Sequence, residues 1–278
     1  MKNLKWKENQ AKLKNTIEHL ELDNLFVHSD SFKSLNYIDF NGDVESSVRK
    51  HIEFILSLSN KIILPSFNYD FPRERLFNYN DFSCQVGAIP EFYRKNYSCF
   101  RTFDPMFSLI KNYGTSQLSN YQSEVCSFEQ HGHFEVLTKK GSGILCYGTN
   151  IEVVTFIHYI ESLFNIDYRY EKKFIGKVKI ASEILPLSYK SHFRPWGKYL
   201  NYDWKKISDD LKGNGIMHSL SKYCHVIESR KLFLYWSERI QDDSLYFLDN
   251  KSCEWVKPKL DQLGRPFVQS DFEVLSND

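Results

Sequence analysis

The chain has 278 residues, 42% of them hydrophobic and 26% charged, with a formal net charge of +1. That balance suits a globular protein with a sizeable core and excludes a strongly basic surface for nucleic acid. No apolar run approaches the roughly 20 residues that span a bilayer, and the polar N-terminus lacks the apolar centre of a secretory leader.

The expectation is a cytoplasmic protein, folded as one domain over residues 1–278, without membrane or nucleic-acid partners. Six widely spaced cysteines with no C-x-x-C pair read as free, mostly buried thiols.

Residues 4–20 have the pattern of an amphipathic helix. Leu25 to Val27 form a short apolar run, read as a buried strand that enters the turn "HSDS". Residues 43–59 return to helical periodicity, and "KIILPSF" (61–67) is a second strand stopped by Pro65. A short helix over 86–96 is entered through Pro90, and "GSGILCYGT" (141–149) is a third strand. Beyond residue 165, strand-like alternation marks 168–182, 221–237 and 244–250. This order predicts an α/β fold, a mixed β-sheet flanked by helices, with a β-rich second half. The turns "HSDS", "PSFN" and "GTN" all follow strands, so they can converge at one sheet edge, where ligands bind in such folds.

The segment "TNIEVVTFIHYIESLF" (149–164) carries most of the chemistry. At 100° per residue, Val153, Ile157, Ile160 and Phe164 make an apolar stripe, with Asn150 as N-cap. Thr155, His158 and Ser162 lie on another face, with Glu161 one turn from His158. By itself this face fits either a solvated structural histidine or a general base tuned by a carboxylate.

Other motifs point to less. Cys126, His131 and His133 lack the second ligand pair of a structural zinc site, and H-x-x-E is not the zinc-protease H-E-x-x-H, so no metal is expected. "KKGSG" is not closed by the G-K-[ST] of a phosphate loop. Cys146, inside the apolar "ILCY", and Cys126 read as packing residues rather than nucleophiles.

Four segments in order resemble the aminoglycoside 3-N-acetyltransferase family, also called antibiotic N-acetyltransferases. They are "LFVHSDSFKSL", "IILPSFNYDF", "VGAIPEFYRKNYSCFRTFDPMFSL" and "GILCYGTNIEVVTFIHYIE". The resemblance implies transfer of an acyl group from acyl-coenzyme A to a sugar amine, with His158 as general base and Glu161 as its acidic support. It also implies a cofactor site made by His28, Ser29, Ser31, Pro65, Ser66, Phe67, Gly148, Thr149 and Thr155.

One departure shapes the acceptor. "RTFDP" places Asp104 where these enzymes typically carry histidine, and "YRYEKKF" resembles the branch that acylates sugar nucleotides. The expectation is therefore a nucleotide-linked amino-deoxysugar, such as a dTDP-sugar of surface-polysaccharide assembly, with an aminoglycoside as the alternative. Asp104 then joins the catalytic set, and Arg94, Arg101, Glu129, Arg169 and Lys172 become candidate acceptor contacts. Lys95 and Lys173 belong to the same basic group, which suits a diphosphate.

Overall fold

The computed structural model describes residues 5–40, 42–114, 121–195 and 197–273. A seven-stranded sheet runs in the order β10-β11-β7-β1-β2-β5-β4. Its centre is β1 (Asn24–Ser29), parallel to both β2 (Lys61–Pro65) and β7 (Ser142–Tyr147). Antiparallel strands close the flanks: β5 (Leu109–Lys111) and β4 (Phe100–Arg101) beyond β2, β11 (Cys224–Glu228) and β10 (Met217–Ser221) beyond β7.

The central strands are apolar without interruption because both faces are covered. Leu25, Val27, Ile62, Leu64 and Leu145 share one core with α1 (Lys5–His19) and α2 (Val44–Leu56). Phe26, Ile63, Ile144 and Cys146 point the other way, into a core with α5 (Phe156–Leu163), α6 (Trp204–Gly213) and α7 (Ser229–Asp242). After β2 comes a single-turn helix, α3 (Phe71–Glu74), and α4 (Ala88–Asn96) packs against α2.

A second sheet has the order β3-β8-β9-β6. It is built on a hairpin of two eleven-residue strands, β8 (Tyr170–Ile180) and β9 (Glu183–Phe193), with β3 (Leu76–Asn78) and β6 (Glu124–Cys126) at its edges. Phe174, Val178, Leu187 and Tyr189 bury one face of it against Phe77 and Phe103.

The mixed sheet with flanking helices is the expected fold, but of two expected strands in the second half one is a strand only over Cys224–Glu228 and the other is not a strand. Past Glu228 the predicted strand 221–237 becomes α7, because Leu232, Trp236 and Ile240 recur at helical spacing and are all buried. The β-propensity of its aromatic residues yields to that burial. Residues 244–250 form a turn with a single bridge from Leu248 to Tyr202, after which Asp249 caps α8 (Asn250–Leu263) through Ser252 N.

The 149–164 segment is also not one helix. Asn150 accepts from Glu152 N and caps a 3-10 turn over Ile151–Val153, and α5 begins only at Phe156. The β-branched run "IEVVT" favours this break. It leaves Val153 39% exposed, off the expected apolar stripe, while Ile157 and Ile160 are buried as expected.

Gly148 explains how the β7 turn approaches the β1 turn so closely. Its φ is +78°, and an added Cβ would meet the Asp30 carbonyl oxygen at 2.2 Å. Gly148→Ala is expected to destabilise the protein by about 1–3 kcal/mol, read as a fall in Tm. An unchanged Tm would show that the two turns move apart without cost.

Candidate active site

Helix α5 presents His158 to a cleft of about 710 Å³, whose walls include Phe128, Thr155, His192, Arg194, Tyr202 and Trp204. The side chain is 27% exposed, and its Nδ1 lies 3.0 Å from Glu161 Oε2, one turn along the helix. Glu161 itself is fully buried.

Three groups from elsewhere in the chain complete the cluster. Arg169, just before β8, brings Nε to 2.8 Å from Glu161 Oε2 as an ion pair. Tyr168 and Tyr202 each donate from their hydroxyls to Glu161 Oε1 at 2.7 Å. Arg169 also donates to the Tyr202 hydroxyl at 2.6 Å and to the His192 carbonyl at 3.1 Å.

These contacts set the protonation states. Burial alone would raise the Glu161 carboxyl, but the Arg169 guanidinium, His158 and Tyr202 outweigh it and hold the pKa at about 2. Ionised, Glu161 can only accept and so selects the tautomer with hydrogen on His158 Nδ1, a nitrogen that Arg169 Nη2 and the Tyr202 hydroxyl also approach at 3.2 and 3.4 Å. Nε2 is left with a lone pair and has no partner among the described residues. Burial and the nearby Arg169 charge lower the His158 pKa, against the pull of Glu161, which keeps the ring neutral.

A narrower channel of about 290 Å³ adjoins the cleft, and Glu152, Val153 and Thr155 line both. Six of the nine expected cofactor residues line it: His28, Ser29, Pro65, Phe67, Thr149 and Thr155. Of these, His28 Nε2, Ser29 Oγ and Thr149 Oγ1 are buried with no hydrogen-bond partner. Such orphaned groups on a channel wall fit a ligand that carries amides.

The other three expected cofactor residues support the wall from outside. Ser31 accepts from His51 Nε2 at 3.1 Å, and His51 Nδ1 meets the Tyr147 hydroxyl at 2.8 Å. The Ser66 carbonyl accepts from Arg101 and Ser108, and Gly148 shapes its turn as described.

The expected acceptor contacts mostly lie elsewhere. Arg94 donates two hydrogen bonds to the Glu91 carboxylate, which Lys95 also contacts. Arg101 is half-buried and donates to Ser66 O, Phe82 O and Ser108 Oγ. Lys172 pairs with Glu273, and Lys173 lies 3.7 Å from Glu124. Glu129 is exposed but is not among the cleft-lining residues, although its neighbour Phe128 is. Of these, Arg169 alone lines the cleft, and its charge faces Glu161.

Asp104 does not join the catalytic set directly. It is fully buried, its Oδ1 accepts from Met106 N and Phe107 N, and it makes no hydrogen bond to His158. Aspartate before proline closes its own turn here through Oδ1, while Oδ2 is buried with no hydrogen-bond partner.

Sequence reasoning missed Tyr168, Tyr202, His192, Arg194, Glu152 and Asp249. Tyr168 was adjacent to a nominated residue, but nothing local marks Tyr202, which reaches Glu161 across 41 residues of chain. Cys126, His131 and His133 do not converge, and no group of three or more His, Cys, Asp or Glu among the described residues is placed to hold a metal. No helix among them is long and apolar enough to cross a membrane.

Comparison with known proteins identifies the fold and the family. No curated protein matches the chain. The solved structure of AAC-IIIb with CoASH superposes with a TM-score of 0.67 at 14% identity, covering 84% of this chain and 96% of that one. AAC-VIa bound to sisomicin gives 0.63 at 12%, covering 84% and 97%, and YokD from Bacillus subtilis gives 0.58 at 15%, covering 82% and 98%. At such identities these likenesses establish the fold. The family model for aminoglycoside 3-N-acetyltransferases matches residues 64–240, well over half of the sequence, and the chain belongs to that family.

Proposed function

We propose that the protein transfers an acyl group from acyl-coenzyme A to an amine of a cationic amino sugar, with His158 as general base. The observation that carries this reading is the open Nε2 of a neutral His158, in a cleft joined to a channel rich in orphaned polar groups. Acyl-coenzyme A is the co-substrate. Its amide-bearing arm fits the channel of His28, Ser29, Phe67 and Thr149, and Thr155 stands where channel and cleft meet.

The chemistry needs few parts. An alkylammonium has no lone pair, so His158 Nε2 takes its proton and frees the nitrogen to attack the thioester carbonyl. The new C–N bond forms as the C–S bond breaks; the departing thiolate recovers that proton from the imidazolium, and the nitrogen sheds its second proton to solvent, leaving a neutral amide. Glu161 holds the ring by Nδ1 and stabilises its positive charge during the transfer.

No protein nucleophile is required. Cys146 is fully buried, and burial pushes its thiol up to about 12; burial also raises Cys126. Mixing the protein with acetyl-CoA alone is therefore expected to leave its intact mass unchanged. A stable acetyl adduct on a cysteine or serine would replace direct transfer with a two-step route.

The acceptor assignment rests on charge. Glu152 puts an exposed carboxylate on the cleft wall, where an ammonium group can pair with it, while Asp249 on the same wall already accepts from Ser252 N and the Tyr199 hydroxyl. The basic residues that suggested a nucleotide-linked sugar are engaged with Glu91, Glu161, Glu273, Glu124 or backbone carbonyls, which removes that argument. Exposed Arg194, with no carboxylate partner among the described residues, is what still favours a diphosphate. Thiol release from acetyl-CoA should give a higher kcat/KM with sisomicin or gentamicin than with UDP- or dTDP-linked amino sugars. The reverse order would select the nucleotide-linked acceptor.

A further inference from the structure

A third cavity, of about 400 Å³, borders the same turn that separates cleft from channel. Asn150, Ile151 and Glu152 form one side of it, and Glu152 also lines the other two cavities. The opposite side carries Lys205 and Lys212 from α6 and Lys222 from the turn between β10 and β11. All three lysines are exposed, and none has a carboxylate partner among the described residues.

That concentration is unusual for this chain, where most basic side chains near the site are paired. His225 on the groove wall is tied to Ser219 Oγ and the Lys222 carbonyl, so the positive charge comes from the lysines. Tyr223 lies beside the patch, with Lys222 Nζ 5.0 Å from its ring centroid and Lys33 Nζ, which pairs with Asp30, at 5.3 Å.

The donor needs such a place. Its nucleotide end carries a diphosphate and a 3′-phosphate, about four negative charges at neutral pH. The channel that suits its amide arm is lined by no lysine or arginine. Phosphates require cations or backbone donors beyond that channel, and the lysine groove begins at the residue the cavities share.

We propose that the groove of Lys205, Lys212 and Lys222 binds the phosphorylated nucleotide end of the acyl donor. The proposal rests on acyl-coenzyme A being the donor, and the test separates the two ideas. Calorimetric titration of the full chain compares CoASH, 3′-dephospho-CoA, pantetheine and UDP, in the wild type and in a Lys205→Gln/Lys212→Gln/Lys222→Gln variant.

The variant is expected to bind CoASH roughly 100-fold more weakly, on about tenfold for each of two charge-assisted contacts. Dephospho-CoA should lose less, and pantetheine affinity should not change, which also shows an intact channel. Replacement by arginine at all three positions should restore most of the CoASH affinity. CoASH affinity within about twofold of wild type, on the same charge-assisted scale, would overturn the groove assignment while leaving the donor in place. Wild-type protein that binds no CoASH would sink the donor reading and the groove with it. Loss of UDP binding with CoASH unaffected would give the groove to a nucleotide-linked acceptor and overturn the proposal.

Discussion

Replacing His158 with glutamine is expected to lower kcat by roughly 10²–10⁴-fold, with CoASH affinity close to unchanged. Glutamine can keep a hydrogen bond toward Glu161 but cannot take a proton from an ammonium group. The donor channel is built from other elements, β1, β2 and the turn after β7, so its affinity should survive. Turnover by thiol release and binding by calorimetry measure the two halves separately. A folded variant with wild-type turnover would remove His158 from the chemistry.

The pH profile gives an independent reading of the same base. His158 works only when neutral, so activity should fall on the acid side as the imidazole takes up a proton. Burial, reinforced by Arg169, lowers its pKa below the ordinary 6.5. The acid limb of kcat/KM should therefore lie below the usual imidazole range, and the His158→Gln variant should lose that limb. An acid limb at or above pH 6.5 in the wild type would contradict the neutral, Arg169-repelled imidazole.

Arg169→Met is expected to destabilise the fold by about 3–5 kcal/mol, the cost of leaving one member of a buried ion pair uncompensated. Glu161 is fully buried and the Arg169 side chain is 6% exposed, so water cannot replace the lost partner. In the wild type the carboxyl sits at about 2, below its ordinary 4.5. A depressed carboxyl stabilises the native state fully above its unfolded pKa and loses that contribution as pH falls toward the folded value. The window here runs from about 4.5 down to about 2 and is worth about 3 kcal/mol at neutral pH.

Without the guanidinium, burial becomes the main influence and drives the Glu161 carboxyl upward instead. Chemical denaturation at pH 7 and at pH 4 should then show the variant losing less stability on acidification than the wild type, or gaining some. Equal stability of both proteins at pH 7 would mean that the pair is not a structural tie. Tyr202→Phe, which removes one of two hydroxyls on Oε1, offers a milder version for kinetics if Arg169→Met does not fold.

Sequence alone determined what depends on short-range geometry. The three-residue spacing of His158 and Glu161 puts them on neighbouring positions of any helix, and the folded α5 brings them to 3.0 Å. Apolar runs at Leu25–Val27, Ile62–Leu64 and Ile144–Cys146 had to be buried, and adjacent buried strands form a parallel centre. The turns that end those strands therefore meet at one edge, which is why six of the nine cofactor candidates line the channel.

Where local signals conflicted, packing chose: "SRKLFLYWSERIQD" has aromatic residues that favour a strand and a spacing that favours a helix, and Trp236 buries only as a helix. Tertiary structure alone decided which charges are available. A sequence shows that Arg94, Arg101, Arg169 and Lys172 are basic, but not that Glu91, backbone carbonyls, Glu161 and Glu273 already face them. Nor does it show that Asp104 closes its own turn, or that Tyr202 reaches the Glu161 carboxylate. A side chain's type is local, whereas its protonation and free valence depend on whichever distant residues the packed chain sets beside it.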